Sequence, residues 1–159
     1  MALRNDVEAG LAALSAGSPQ FLSLDAEGAC EITVRIPPAI LRLAGEKMAV
    51  RVKVTRTGRF FTLLAPIAVS SRDLPAEVVT MMLFEQRSAD RMGGASFALE
   101  VETGVIFACY HWMLESIPAP QFVDLVHGFT AAAFLLLERV AAIAGQVPGI
   151  VTIHDREII

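Results

Sequence analysis

The clearest element in the sequence is the alternating stretch AVRVKVT, residues 49–55. Its valines occupy every second position and charged residues lie between them, a period of two that predicts a half-buried β-strand. The stretch CEITVRI, residues 30–36, alternates in the same way, and FFTLLAPIAV, residues 60–69, predicts a more apolar strand. Because proline cannot donate to a strand ladder, Pro66 predicts a break or an edge position in the last of these strands.

Turn-forming residues predict two hairpins. QFLSL, residues 20–24, and CEITVRI flank the tetrapeptide DAEG, in which Gly28 is available for a positive φ. Later in the chain, SFALEV and GVIFACYHWML form a second hairpin around ETG, over residues 96–114. Both faces of this second hairpin carry apolar residues, which favours central strands that are covered on both sides.

Three segments carry helical patterns. Residues 3–16 show a weak amphipathic spacing, and a second helix is predicted over 74–92, from an N-cap at Asp73 to a glycine pair. A third helix is predicted over 121–144. Its apolar stripe consists of Phe122, Val126, Phe129, Ala133, Leu136 and Val140.

The helices and the longer strands are predicted in the order α-β-β-β-α-β-β-α. Strands in runs that are separated by helices favour an antiparallel sheet packed by helices, which is an α+β fold. No repeat or low-complexity linker divides the chain, so we expect one domain over residues 1–145. The tail, residues 146–159, is expected to be a short edge strand or a loosely attached end.

Between Leu74 and Phe84, the helix predicted over 74–92 is apolar around almost its whole circumference, and the polar run EQRSADR follows. A helix of this kind is buried on more than one side, and a single sheet covers only one of them. A second helix of the same chain would cover the other side, but we favour a twofold homodimer. The candidate interface residues are Val78, Val79, Met81, Met82, Leu83 and Phe84.

Composition and charge limit the possible partners. The 159-residue chain is 54% hydrophobic and 19% charged, which favours an ordered domain with apolar surface covered by another chain. A net charge of −4 argues against direct nucleic-acid contact. However, residues 42–59 hold six basic residues and one acid, which form either a solvated strand face or a docking patch for an acidic partner.

The sequence predicts neither a membrane span nor a secretory signal. The most apolar stretch, FTAAAFLLLERVAAIAG, is interrupted by Glu138 and Arg139. The first ten residues contain acidic side chains where a signal peptide needs an apolar core. We therefore expect a cytoplasmic protein that does not enter the membrane.

Candidate chemistry is sparse. Cys109 and His111 point to the same side of one predicted strand, as a thiolate site would require, but the sequence shows no third group. None of the histidines has a second histidine or cysteine at metal-ligand spacing, and the sequence has no glycine-rich phosphate-binding motif. We expect no metal, no cofactor and no enzymatic activity. A small-molecule-binding or enzymatic domain on the Cys109/His111 face is the alternative.

The order of elements resembles that of class I type III secretion chaperones, the CesT-like superfamily, and of the related YbjN family. The resemblance covers residues 3–144. It is carried by FFTLLAPIAV followed by LPAEVVTMMLFEQ, then by ASFALEVETGVIFACYHWML and a leucine-rich final helix. It implies a dimeric protein whose sheet and helix surfaces hold an extended segment of another protein. In the chaperones the central helix typically forms the dimer, which here corresponds to residues 74–92.

Two departures from the chaperone pattern, the basic block 42–59 and the extra tail, favour the YbjN-like branch. The resemblance then implies a bacterial, non-enzymatic, homodimeric adaptor or chaperone-like protein that binds a client protein in stress response or regulation. A type III secretion chaperone proper is the alternative. The client-docking candidates are Arg51, Lys53, Arg56, Arg59, Tyr110 and Trp112.

Overall fold

A computed structural model describes residues 2–16, 21–35, 47–70, 76–86, 94–113, 115–144 and 150–152. Its helices are α1 (Ala2–Ser15), α2 (Ala76–Gln86) and α3 (Ala119–Ala144). Its strands are β1 (Ala29–Arg35), β2 (Lys47–Val54), β3 (Phe61–Ser70), β4 (Ser96–Glu100), β5 (Val105–Trp112) and β6 (Ile150–Thr152). The predicted order is confirmed, with β6 added after α3. The predicted N-cap at Asp73 lies outside the described residues, as does the first glycine of the pair predicted to end the second helix.

The strands form one antiparallel sheet in the order β1-β2-β3-β5-β4. The short strand β6 pairs with the end of β3, beyond the residues of β3 that pair with β2. Three residues of the predicted tail therefore join the sheet. The α+β fold class predicted from the sequence is confirmed.

Alternation gives the sheet two faces of different character. The register of β3 and β5 pairs Phe61 with Trp112 and Leu64 with Cys109, so these two pairs mark opposite faces. We term the face that carries Phe61 the inner face, because its ring lies against Phe122 of α3 with centroids 5.6 Å apart. The face that carries Leu64 and Cys109 is the outer face.

The helices lie on the inner side of the sheet. The predicted apolar stripe of α3 is buried over its whole length, and α3 packs on the central strand β3. Helix α1 packs on α3 and buries Leu3, Val7 and Leu11. Helix α2 contacts both α3 and β4, so it lies on the same side at the β4 edge. Within the described ranges, the outer face carries no helix.

QFLSL, predicted as a strand, is irregular coil over its described residues, 21–24. The amides of Leu22 and Leu24 donate to side chains of α1, to Ser15 Oγ and Glu8 Oε1, both at 3.2 Å. These donors are therefore used by the helix and are not available to a neighbouring strand. The turn that follows is confirmed, with Gly28 at a φ of 80°.

Pro66 neither breaks β3 nor lies at an edge, contrary to the prediction. It lies in a central strand, where the register with β5 shifts between Pro66 and Ala68. On the other side of β3, residues 61–64 pair with β2 and residues 68–70 pair with β6. Pro66 falls in the gap between these two pairings. Because no described strand is paired with it on that side, the lack of an N–H costs no hydrogen bond of the sheet there.

The second predicted hairpin is confirmed, but β4 is an edge strand and not a central one. Helix α2 contacts β4, and Gln86 Nε2 donates to the carbonyl of Phe97 at 3.4 Å. The second predicted helix is confirmed over Ala76–Gln86, and the rest of its predicted range, residues 74–75 and 87–92, lies outside the described residues.

Among the described residues, α3 is the one helix long and apolar enough to cross a membrane, over Ala119–Val140. Half of that apolar stretch is buried inside the fold, however. Because its stripe packs on β3, the helix has the position of the core helix of a globular domain.

Candidate functional site

A strip of basic side chains runs along β1 and β2 on the outer face. Arg35 lies opposite Lys47 in the register, and Arg51 and Lys53 follow on the same side of β2. All four side chains are exposed. Glu31 lies opposite Arg51, so the strip keeps an excess of positive charge. We term these four basic residues the basic strip.

The pairing of Arg35 with Lys47 is unfavourable for the free protein. Like charges directly opposite each other on neighbouring strands are destabilising, because their side chains approach closely. An anionic group bound between them would remove this repulsion. The sequence pattern did not single out Arg35, because its position beside Lys47 depends on the register of two strands.

An apolar strip lies beside the basic strip on the outer face. It consists of Leu64 and Pro66 on β3 and Phe107 on β5. In the registers, Leu64 lies opposite Arg51 of β2, and Pro66 lies opposite Phe107. These three apolar side chains are partly exposed. The outer face therefore presents positive charge and apolar surface side by side, as a segment with acidic and apolar residues would require.

Arg56 and Arg59, two further client-docking candidates, do not lie on the outer face. They are exposed in the turn between β2 and β3, at one end of the sheet. Arg56 lines an open pocket of about 570 Å³ together with Arg4 and Glu27. Because Glu27 offsets part of the positive charge, this pocket is a weaker site for an anion than the basic strip.

Cys109 and His111 are brought together on the outer face, with a third group that the sequence did not reveal. Cys109 Sγ lies 3.3 Å from His111 Nε2, and His111 Nδ1 lies 3.2 Å from Thr62 Oγ1. Thr62 is opposite His111 in the register of β3 and β5. It is 49 residues distant in sequence, so no local spacing could have indicated it.

The environment of Cys109 keeps its sulfur protonated. The residue is only 4% exposed, and burial raises the pKa of its thiol above the ordinary value of 9.0. A nucleophilic cysteine requires the opposite shift, because the thiolate is the reactive form. The group therefore has the geometry of a hydrogen-bonded thiol and imidazole, without an activated nucleophile. Within the described ranges, no three His, Cys, Asp or Glu side chains converge to hold a metal ion.

Tyr110 and Trp112 lie on the inner face, opposite to the basic strip. They line a groove of about 370 Å³ between β5 and α3, whose helical wall includes Asp124, Leu125 and Gly128. The sequence grouped both aromatic residues with the basic residues as docking candidates. The structure places the two groups on separate surfaces.

Two glycines shape this groove, and sequence reasoning did not identify their role in it. Gly94 has a φ of 80°, and a Cβ at this position would lie 3.0 Å from Tyr110 Cε2, so the backbone packs closely against the ring. Gly128 has open space where a side chain would be. The absence of a side chain there keeps the groove accessible.

Helix α2 buries one side and exposes another. Val78 is fully buried, and Met81 and Met82 pack partly against the core. The exposed apolar residues are Val79 (38%), Leu83 (61%) and Phe84 (55%). The predicted interface set therefore divides into two parts. Val78 does not belong to an exposed interface, because it is part of the protein's own core.

Comparison with known proteins identifies the fold. No protein-family model and no curated protein matches the chain. A chain of the HopA1–SchA chaperone–effector complex aligns with a TM-score of 0.56 and 15% identity, over 85% of this chain and 92% of that chain. A chain of the ExsC–ExsE complex aligns with a TM-score of 0.56 and 18% identity, over 87% of this chain and 92% of that chain. The fold is therefore that of type III secretion chaperone-like proteins, as predicted.

Proposed function

We propose that this protein is a non-enzymatic, chaperone-like protein that binds a client protein through the outer face of its sheet. The observation that carries this proposal is the outer face itself, where a basic strip and an apolar strip lie side by side without a covering helix among the described residues. The similarity to a chain of a chaperone–effector complex supports it at the level of the fold.

The chemistry of the outer face specifies the client segment. Lys47 and Lys53 are exposed, and neither has an acid opposite in the register of β1 and β2. Leu64 and its apolar neighbours begin one strand away. An extended segment that carries both acidic and apolar residues would pair its charges with the lysines and bury its apolar side chains on β3 and β5.

We further propose that the protein acts as a homodimer through α2. Val79, Leu83 and Phe84 present apolar surface on the side of α2 that faces away from the core. A second copy is the occupant that we favour, because a twofold axis brings the same apolar patch of each copy together. Since α2 lies at the β4 edge, this contact leaves the outer face of each subunit open to the client.

The cellular setting rests on the resemblance described in the sequence analysis and belongs to the same proposal. We place the protein in the cytoplasm, in a stress-related or regulatory role of the YbjN-like kind. A type III secretion chaperone proper is the alternative. The identity of the client decides between them, since a secreted effector favours the alternative.

Affinity capture from the native organism, with mass spectrometry, tests client binding. The tagged protein is compared with Lys47→Glu/Lys53→Glu, which reverses two charges of the outer face. Arg56→Glu/Arg59→Glu is the matched control, because it makes the same change of net charge in the turn at the end of the sheet. Arg51 is left unchanged in both, since Glu31 lies opposite it.

We expect the wild type and the turn variant to retain one specific client and the outer-face variant to lose it. The captured protein is then purified, and the interaction is measured with the two components alone. Equal capture by all three proteins would show that the outer face is not the docking site. Absence of any specific client would contradict the proposed function.

A further inference from the structure

The groove between β5 and α3 differs from the outer face in the sign of its charge. Its lining contains the rings of Tyr110 and Trp112, the apolar side chain of Leu125 and the carboxylate of Asp124. Asp124 is exposed and is the one charged residue in that lining. The basic strip lies on the other face of the sheet, so its positive charge does not border the groove.

The aromatic wall of the groove is held in place before any ligand binds. The indole of Trp112 stacks on Phe61 at 6.1 Å between centroids, with an angle of 20° between the rings. Its Nε1 donates to the carbonyl of Ser116 at 3.3 Å. The ring of Tyr110 lies beside Gly94, where an added Cβ would be 3.0 Å from its Cε2. A wall that is already ordered loses little conformational entropy when a ligand is bound.

We propose that this groove binds a basic side chain, with arginine preferred, from an extended segment of the client. Aromatic faces attract a cation, and the guanidinium group can stack on a ring and pair with a carboxylate at the same time. The aliphatic stem of such a side chain would pack against Leu125 in the space that Gly128 leaves open. This inference rests on the proposed function for the source of the side chain, and it names the chemistry that the inner groove would recognise.

Trp112 is the single tryptophan of the chain, so its fluorescence reports on the groove directly. The probes are two blocked pentapeptides, acetyl-Ala-Leu-Arg-Leu-Ala-amide and the same peptide with citrulline in place of arginine. Citrulline keeps the shape of arginine and removes its charge. We expect the arginine peptide to change the Trp112 emission saturably and to bind about tenfold more tightly than the citrulline peptide.

Three variants test the origin of this preference. Asp124→Asn should reduce the difference between the two peptides to about threefold, because only the aromatic rings then favour the cation. Gly128→Leu should weaken the binding of both peptides by filling the groove. Lys47→Glu/Lys53→Glu, on the opposite face, should bind both peptides as the wild type does. Circular dichroism and thermal unfolding identify a variant that fails to fold, and Asp124→Asn tests the charge preference independently of Gly128→Leu.

Equal binding of the two peptides to the wild type would overturn the inference, as would the absence of a saturable change at millimolar concentration. An undiminished arginine preference in Asp124→Asn would also overturn it. These outcomes are distinct from failure of the proposed function, because the titration uses no client protein. Client capture through the outer face would be unaffected by a negative result in the groove.

Discussion

Gly10 of α1 lies directly against the side chain of Phe122 in α3, and a Cβ atom at position 10 would overlap three of its carbon atoms. The two helices therefore approach as closely as glycine allows. Phe122 in turn contacts Phe61 in the central strand, so one line of contacts joins α1 to α3 and the inner face of the sheet.

We predict that Gly10→Ala destabilises the protein by about 1–3 kcal/mol, because the added methyl group overpacks the contact with Phe122. Gly128→Ala is the matched control, since this helical glycine has open space at the Cβ position. It should stabilise the protein by about 0.5–1 kcal/mol through the loss of backbone freedom in the unfolded chain. Urea unfolding measures both, and a decrease of the same size in the two variants would contradict the close approach at Gly10.

We predict that Lys47→Glu raises the stability of the free protein by about 0.2–1 kcal/mol, because it replaces the repulsion from Arg35 with attraction. The same substitution should weaken client binding, since it removes a positive charge from the outer face. Arg56→Glu, in the turn, is the control and should change neither quantity appreciably. A Lys47→Glu variant that is less stable than the wild type would show that the Arg35–Lys47 pairing does not destabilise the protein in the absence of client.

The proposed dimer contact predicts that Leu83→Glu dissociates the protein. Twofold symmetry would place both new carboxylates in one apolar contact, so the dimer dissociation constant should rise about 100-fold or more. Light scattering over a concentration series should give twice the 17.1 kDa chain mass for the wild type and the single mass for the variant. Phe21→Glu, at a position 88% exposed and away from α2, is the control and should remain dimeric. A monomeric wild type at micromolar concentration would refute the α2 interface.

The two cysteines predict a loss of stability at alkaline pH. Burial raises the pKa of both thiols above 9.0. The folded state therefore holds these protons more tightly than the unfolded state does, and the stabilisation is present below pH 9 and lost as the pH rises through the folded-state pKa. Urea midpoints at pH 7.5 and pH 10 should differ more for the wild type than for Cys30→Ala/Cys109→Ala. Equal differences in the two proteins would mean that the thiols do not contribute.

Local patterns were sufficient to predict the main elements. The alternation of β2 predicted its buried valines, and the stripe of α3 predicted the side chains that cover the sheet. Both patterns repeat within a few residues, so each is visible without tertiary information. The α+β class followed from the order of these elements.

Features that depend on register or on distant partners could not be predicted. QFLSL has the composition of a strand, but its amides bond to α1 side chains 7 and 16 residues away. The contact of Thr62 with His111 and the opposition of Arg35 and Lys47 depend on how strands are paired. The sequence also could not show that the docking candidates lie on two surfaces. Lys53 and Trp112 lie on opposite faces of one sheet, which only the strand registers reveal.

The position of the client on the outer face can be tested directly by photo-crosslinking. Benzoylphenylalanine is introduced at Phe107, an outer-face residue beside Pro66, and at the exposed Phe21 as a control. Both substitutions replace one aromatic side chain by a larger one. After irradiation with the captured client, the predicted result is a crosslinked product from position 107 and none from position 21. A product from position 21 alone, or equal yields from both positions, would contradict client binding on the outer face.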